Sequence, residues 1–448
     1  MASELPYPVT YQRETAPAWL HYAATLAGAV AADPGKPFRA MELGCGRGFS
    51  TLIHAAANPA SEFHAVDADD AAIAGARDWA KAVGLDNATF HNVLFDHPSL
   101  RALGKFDFIV LHGVYSWVDE AARATLRDLV PQLLADNGVV YLSYNCLPGW
   151  SAEIPLRRLL GELGNAAPSG ERVGYAVKHA DALRKAGFGF FTAHPTADRA
   201  VAGLDDQPAG YLAQEYLADA WEPMWSLDVH EAMAGAGLAY AASATLHDNY
   251  DALLLSGTAA SAIAQLPTPR LQTLARDFAV NRTFRRDLFV HANRSATRRD
   301  PGALLLGHTG DIETLPDNIV TPRGRITFAA DFIAALRTLL ANGPVRLDAA
   351  TRVLSTKGKP DEAMRNLLWL TAGGVLQPFA TDTAEPLPSE AATVWLSRIA
   401  GGEIPWLPSP SSGGGVEITP RLAAALRDNT ETKAAEAARR RLRRLAIL

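Results

Sequence analysis

Cysteine is scarce: the 448 residues hold two, Cys45 and Cys146. Two thiols cannot build a disulfide framework, and with no Cys/His cluster beside them no metal is expected, so a reducing compartment is the natural home. Apolar runs of membrane-spanning length are missing too, and Met1-Ala2-Ser3-Glu4-Leu5-Pro6-Tyr7 lacks the basic segment and apolar stretch of a secretory leader. A cytoplasmic location with no membrane span is the expectation. Neither sign of charge dominates, since 42 Lys and Arg stand against 48 Asp and Glu for a net charge of −6. Such a chain has no global field for a polyanion, which argues against nucleic-acid binding as its main task. What it does have is length beyond one typical domain, and two or three are expected.

The stretch that organises the rest runs from Phe38 to Asp67. Phe38 to Leu43 predicts a short buried strand, Gly44-Cys45-Gly46-Arg47-Gly48 a tight turn, and Phe49 to Ala57 a helix. A strand turning through Gly-x-Gly-x-Gly into a helix lets the backbone approach a nucleotide-like ligand and aims the helix N-terminus at it. A dinucleotide site asks for G-x-G-x-x-G to admit a pyrophosphate. Here Gly48 comes one position early, and the acidic Glu42 stands before Gly44. S-adenosyl-L-methionine has no phosphate and carries an ammonium and a sulfonium, so a carboxylate beside the loop suits it. The acidic-x-Gly-x-Gly-x-Gly form resembles the first motif of class I methyltransferases, which implies Glu42, Gly44, Gly46 and Gly48 as cofactor-binding residues.

The following segments keep a strand-helix alternation. Glu62 to Asp67 reads as a second strand whose terminal carboxylate lies where the two ribose hydroxyls of a bound nucleoside belong. Asp70 to Val83 predicts a helix and Ala88 to Val93 a third strand closed by Asp96, an acid whose position resembles the class I residue that meets the adenine amine. Lys105 to Leu111 is an apolar fourth strand of the kind buried on both faces. His112 to Val118 is expected to form the floor next to the transferable methyl, with His112 among the cofactor contacts. Glu120 to Leu134 then reads as a helix and Val139 to Ser143 as a fifth strand. The expected fold class is α/β, a Rossmann-like parallel sheet with helices on both faces.

After the fifth strand the resemblance narrows. His112-Gly113-Val114-Tyr115-Ser116-Trp117-Val118, Tyr144-Asn145-x-x-Pro148-Gly149-Trp150, Gln214-Glu215-Tyr216-Leu217 with Pro223-Met224-Trp225, and Asp277 to Leu288 resemble bacterial protein lysine methyltransferases that carry a methyltransferase regulatory domain. Known substrates of that group include outer-membrane proteins. Gln214 replaces a usual His, and Met224-Trp225 replaces an aromatic pair.

The expected layout is an N-terminal arm or lid over 1–36, a methyltransferase core over 37–255 with an insert at 151–225, a mostly helical middle region over 256–327, and a winged-helix-like domain over 328–448. The insert is expected to cover the active-site mouth. The arginine-rich run Arg270, Arg276, Arg282, Arg285, Arg286, Arg294, Arg298 and Arg299 reads first as a helix whose arginines pair with Asp277, Asp287 and neighbours, and second as a grip for an acidic partner. Pro405 to Gly415 reads as a flexible surface loop, and Asn429 to Leu448 as a solvated terminal helix with arginines placed late, as the helix dipole prefers.

Methyl transfer from a sulfonium is an in-line displacement, so the protein mainly aligns a neutral nucleophile. A lysine must first lose its proton, which an apolar pocket with aromatic walls favours. Tyr115, Trp117, Tyr144 and Trp150 lie beyond strand ends where such walls belong. Tyr115 and Tyr144 are therefore the expected catalytic pocket residues, with Asn145 as a polar positioner. The expected partner is a protein substrate; nucleic acid is not expected, because the Asp/Asn-Pro-Pro-aromatic motif of its amino-methyltransferases is missing after the fourth strand. A small-molecule methyltransferase, a regulator binding nucleic acid through its C-terminal domain, and a homodimer remain open on sequence grounds. A fragment ending near Leu255 is expected to keep the cofactor pocket.

Overall fold

A computed structural model describes residues 10–168, 170–218, 220–293, 300–355 and 359–448. Five strands run parallel: β1 (Arg39–Leu43), β2 (Glu62–Asp67), β3 (Ala88–Asn92), β4 (Phe106–Leu111) and β5 (Leu134–Asn145). With β6 (Leu238–Ser243) and β7 (Phe284–His291) they form a seven-stranded sheet of order β3-β2-β1-β4-β5-β7-β6, in which β7 is antiparallel to both neighbours. The order reverses at β1, so the carboxyl ends of β1, β2 and β4 border the crevice where ligands of such sheets bind.

Strand periodicity explains the two faces. Met41, Leu43, Ile109, Leu111, Val140 and Leu142 meet helix α4 (Glu120–Leu133) through Leu126, Leu129 and Val130. Phe38, Phe63, Phe108 and Tyr141 point the other way, onto Trp19, Leu20 and Tyr22 of helix α1 (Pro17–Leu26). The described part of the N-terminal arm is thus core, with Leu20 fully buried; Tyr7 and Pro8 lie outside the described residues. Helices α2 (Phe49–Ala57) and α3 (Asp70–Ala82) follow β1 and β2, and Asp69 caps α3 by accepting from Ala72 N.

The insert is a helical bundle of α5 (Ile154–Asn165), α6 (Arg172–Lys185), α7 (Gly189–Ala193), α8 (Pro195–Ala202) and α9 (Ala209–Leu217) around its own core of Leu156, Leu160, Ala176, Phe191 and Leu212. Its exit is stitched to the sheet's carboxyl edge. Met224 N donates to Asn145 O at 2.9 Å and Glu222 N to Ser116 O at 2.8 Å, while Arg123 pairs with Glu222. Helix α10 (Ser226–Gly235) then returns to the face of α4 through Val229 and Met233.

The sheet does not end at Leu255. Helices α11 (Asp251–Leu254), α12 (Gly257–Ala264) and α13 (Pro269–Ala279) lead into β7, which lies between β5 and β6, so the arginine-rich run itself contains a sheet strand. Four of its described arginines pair as expected, Arg270 with Glu231, Arg276 with Asp251, Arg282 with Asp248, and Arg285 with Asp277 and Asp287, while Arg286 donates to the Thr245 hydroxyl. Arg294, Arg298 and Arg299 lie outside the described residues.

Beyond β7 come β8 (Leu305–Gly307), the hairpin of β9 (Asn318–Thr321) and β10 (Gly324–Thr327), α14 (Ala330–Leu340), β11 (Val345–Arg346), α15 (Leu347–Leu354), α16 (Pro360–Ala372) and β12 (Gln377–Phe379). The three helices expected of a winged helix are present in order. Their small sheet has the order β11-β8-β12, with a middle strand that precedes the first helix. Last come α17 (Ser389–Ala400), β13 (Trp406–Ser409), β14 (Gly414–Glu417), α18 (Pro420–Arg427) and α19 (Lys433–Arg444). The expected flexible loop at Pro405 to Gly415 is instead a buried hairpin lying on α2, where Gly415 N donates to the Tyr11 hydroxyl at 2.7 Å. The terminal helix is not simply solvated either. Leu442, Leu445 and Ile447 are fully buried, and Arg441 and Arg444 donate to the carbonyls of Thr309, Glu417, His308 and Gly310.

Candidate active site

All three glycines of the turn after β1 are left-handed, with φ of 79° at Gly44, 52° at Gly46 and 65° at Gly48. They are required for different reasons. A Cβ on Gly44 would come within 2.3 Å of Val114 Cγ2, and one on Gly48 within 2.5 Å of the Phe90 ring, so these two glycines let neighbouring elements close on the loop. A Cβ on Gly46 meets nothing within 4 Å, so Gly46 alone faces open space. Gly44 N and Cys45 N both donate to Val66 O, which ties the loop to the end of β2.

The acids expected beside this space divide. Asp67, at the end of β2, accepts from Gly46 N at 2.7 Å and, through its other oxygen, from Asp69 N at 3.0 Å. Each carboxylate oxygen can accept more than one hydrogen bond, so ribose hydroxyls still have room. Glu42 accepts from the Thr51 hydroxyl in the first turn of α2. Burial pushes its carboxyl up to about 7, against the Thr51 hydrogen bonds and with help from the Asp67 charge. Asp96 is exposed in the turn after β3. His112, just beyond β4, has Nδ1 2.9 Å from the Tyr141 hydroxyl; burial and then the Arg286 charge push it down to about 4, so it is neutral at pH 7.

The expected catalytic side chains also separate. Tyr115 is buried in the cluster beneath α4, and its hydroxyl accepts from Arg127 Nη1 at 3.0 Å. Tyr144 is buried too, and donates to Asp287 Oδ2 at 2.7 Å. Asp287 also meets Arg285 Nε at 3.0 Å and His230 Nε2 at 2.8 Å, and Arg285 reaches Asp277, which accepts from Ser226. Burial alone would raise the Asp287 carboxyl; the Arg285 charge and the His230 hydrogen bond outweigh it and hold the group well below the usual carboxylate range. Both tyrosines are thus engaged in packing and hydrogen bonds within the fold.

Asn145 follows Tyr144 and points elsewhere, as strand alternation requires. Its side chain lies beside the carboxylate of Glu215 on α9 and favours the charged form, and its backbone N donates to Ser116 Oγ at 2.9 Å. Near this pair lies an aromatic cluster of which only Trp117 and Trp150 are expected from sequence. Trp150 and Trp221 meet edge to face with centroids 5.0 Å apart, and the Arg157 guanidinium lies 4.5 Å over Trp221 and 5.9 Å over Trp117. Glu153 opens α5 and its carboxyl is raised by burial; Glu215 is raised to about 7 by burial, with Arg157 opposing and Glu153 adding. Glu215 sits inside the Gln214-Glu215-Tyr216-Leu217 stretch that carried the resemblance. No role attached to it there, because nothing local in sequence places α9 against β5.

Residues 41–140 match the model of the family described as Methyltransferase domain, and residues 208–291 that described as Predicted methyltransferase regulatory domain. The chain carries a class I methyltransferase domain. The regulatory match runs from α9 through β6 to the end of β7, so that region completes the catalytic sheet. The uncharacterized protein sll1526 of Synechocystis is 29% identical over 427 residues, 93% of this chain and 84% of the relative. PKMT2 from Rickettsia typhi, solved in complex with AdoHcy, has the same fold: TM-score 0.71, 19% identity, 95% of this chain and 89% of that one. A second structure of PKMT2 from Rickettsia typhi gives TM-score 0.70 at 19% identity, with 94% of this chain and 89% of that one covered. The cofactor that goes with the domain is S-adenosyl-L-methionine, and the loop fits it: open space at Gly46 lies beside a carboxylate, Asp67, already turned toward the loop. Among the described residues no helix is long and apolar enough to cross a membrane.

Proposed function

We propose that this protein is an S-adenosyl-L-methionine-dependent protein lysine N-methyltransferase. When bound, the cofactor supplies an electrophilic methyl on a sulfonium. The Gly44–Gly48 loop and α2 hold its amino-acid end, Asp67 accepts from the ribose hydroxyls, and Asp96 stands where the resemblance puts the adenine contact. Glu42, fastened to Thr51, braces the loop from behind. Neutral His112 forms part of the floor without adding a cation beside a cationic cofactor.

The observation that carries the lysine reading is the set of tryptophans and raised acids at the carboxyl end of β5. Tryptophan faces attract a cation, as Arg157 over Trp221 shows, and Glu153 and Glu215 offer negative charge, so this edge suits an alkylammonium. Aromatic walls also strip water from the amine, which favours its neutral, nucleophilic form. The helical insert, tied to this edge and carrying Glu215, adds a surface of its own to the site, as a macromolecular substrate requires. The test is to incubate the purified full chain with isotopically labelled S-adenosyl-L-methionine and a bacterial lysate, then map label by mass spectrometry. Methyl-lysine in proteins is the expected product; label confined to metabolites would replace this reading with the small-molecule one.

A further inference from the structure

We propose that Glu215 is the carboxylate that meets the substrate's ammonium group and takes its proton, which makes it a catalytic residue; this rests on the lysine reading above. Three features of its placement support the role. Helix α9 carries Glu215 to the carboxyl end of β5, the edge that also holds the cofactor loop. The Asn145 side chain lies beside its carboxylate and favours the anion, and the Asn145 backbone is pinned through Ser116 Oγ and Met224 N, which places the acceptor against the end of β5. Finally, Arg157 donates Nε to the backbone carbonyl of Glu215 at 2.9 Å and Nη2 to that of Ala218 at 2.7 Å, locking the end of α9 while its guanidinium lies over Trp221.

The charged and titratable groups around Glu215 are Arg157 from α5, Glu153 from the turn before it, and Tyr211 and Tyr216 from α9. Burial and the Glu153 charge make this carboxylate more basic than an exposed one, which narrows its gap to lysine, whose ordinary pKa is about 10.4. In the step, an N–H bond of the ammonium breaks and its electron pair stays on nitrogen as the nucleophilic lone pair. The proton goes to a Glu215 oxygen, turning carboxylate into carboxylic acid, and leaves to solvent before the next turnover.

Poly-L-lysine with labelled S-adenosyl-L-methionine and the full chain tests this. The wild-type rate is expected to fall as pH drops through about 7, because protonated Glu215 cannot accept. Glu215→Gln should lower the rate at pH 7 by about tenfold or more. It should also remove the break near neutrality, so that the rate climbs steadily toward the pKa of the amine. Glu215→Asp should keep that break at reduced rate. Cofactor affinity by calorimetry and melting temperature should stay at wild-type values in both variants. A Glu215→Gln enzyme with the wild-type profile overturns the proposal, as does one that loses rate while keeping the break or losing cofactor affinity, since either marks a structural role. If the wild type methylates neither poly-L-lysine nor any lysine in a lysate, the lysine reading itself falls and takes this step with it.

Discussion

Tyr144 and Asn145 are consecutive residues of β5 and look into two different kinds of polar region. Behind Tyr144, Asp287, Arg285, Asp277 and Ser226 are buried and, with half-buried His230, satisfied by hydrogen bonds among themselves. In front of Asn145, Glu215 and Glu153 are half-buried and destabilised as anions by that burial. A polar group whose partners are all supplied by the fold has little left to offer a ligand. One held in place but short of compensating charge does, and perturbed acids in a cleft mark functional sites more often than paired ones.

The largest way to break the inner region is to remove its strand. A fragment ending at Leu255 lacks β7, which is the partner of β6 and the neighbour of β5, together with the buried Leu288 and Phe289. It also lacks the C-terminal cover over Trp19 and Tyr22. We expect no cooperative thermal transition and no cofactor binding from it, against the expectation that the cofactor domain stops there. A sharp melt by circular dichroism would show that the sheet tolerates the loss. Next in size is Asp287→Asn, which strands Arg285 and His230 and should cost about 3–5 kcal/mol in urea unfolding. Because the folded-state pKa of Asp287 is depressed, its contribution is present above the unfolded value of about 3.9 and is lost as pH falls below it. The wild type should therefore lose stability more steeply than the variant below about pH 4.

These regions also show what was legible in the sequence. Strands β1 to β5 announced themselves as apolar runs, and the glycine turn with its acids is a local pattern, so the cofactor side of the site could be read residue by residue. Strand β7 was hidden because Arg285 and Asp287 occupy buried positions, and a buried charge reads as surface until its partner on another element is known. The hairpin at β13 and β14 was hidden for the converse reason: proline, serine and glycine read as a loop, yet Ser409 and Ser412 are buried there against α2 and the chain end. Glu215 depends on α9 meeting β5 across the whole insert, a tertiary fact with no local signature.

The glycine loop sharpens the comparison on a smaller scale. Gly48→Ala should destabilise the fold by about 2–4 kcal/mol, combining left-handed strain with a clash against Phe90 and Ala76. Gly46→Ala carries only the strain, about 1 kcal/mol, but puts a methyl where the cofactor approaches. Thermal melting and calorimetry on the pair should therefore give opposite rankings, stability falling more in Gly48→Ala and cofactor affinity more per unit of stability lost in Gly46→Ala.

The smallest effect belongs to Tyr115→Phe, which asks whether a tyrosine beyond a strand end lies inside or outside the reacting region. Its ring is 2% exposed in the cluster beneath α4, and its hydroxyl is engaged by Arg127, which also pairs with Glu120. Losing one hydrogen bond to a charged donor that keeps another partner costs about 1 kcal/mol. The ring that fills the cluster remains. Methyl transfer to poly-L-lysine should stay within about threefold of wild type, because the hydroxyl is bonded to Arg127 and to none of the groups around Asn145. A tenfold loss of rate at unchanged stability would return Tyr115 to the substrate pocket, and would mean that the loop between β4 and α4 opens when substrate binds.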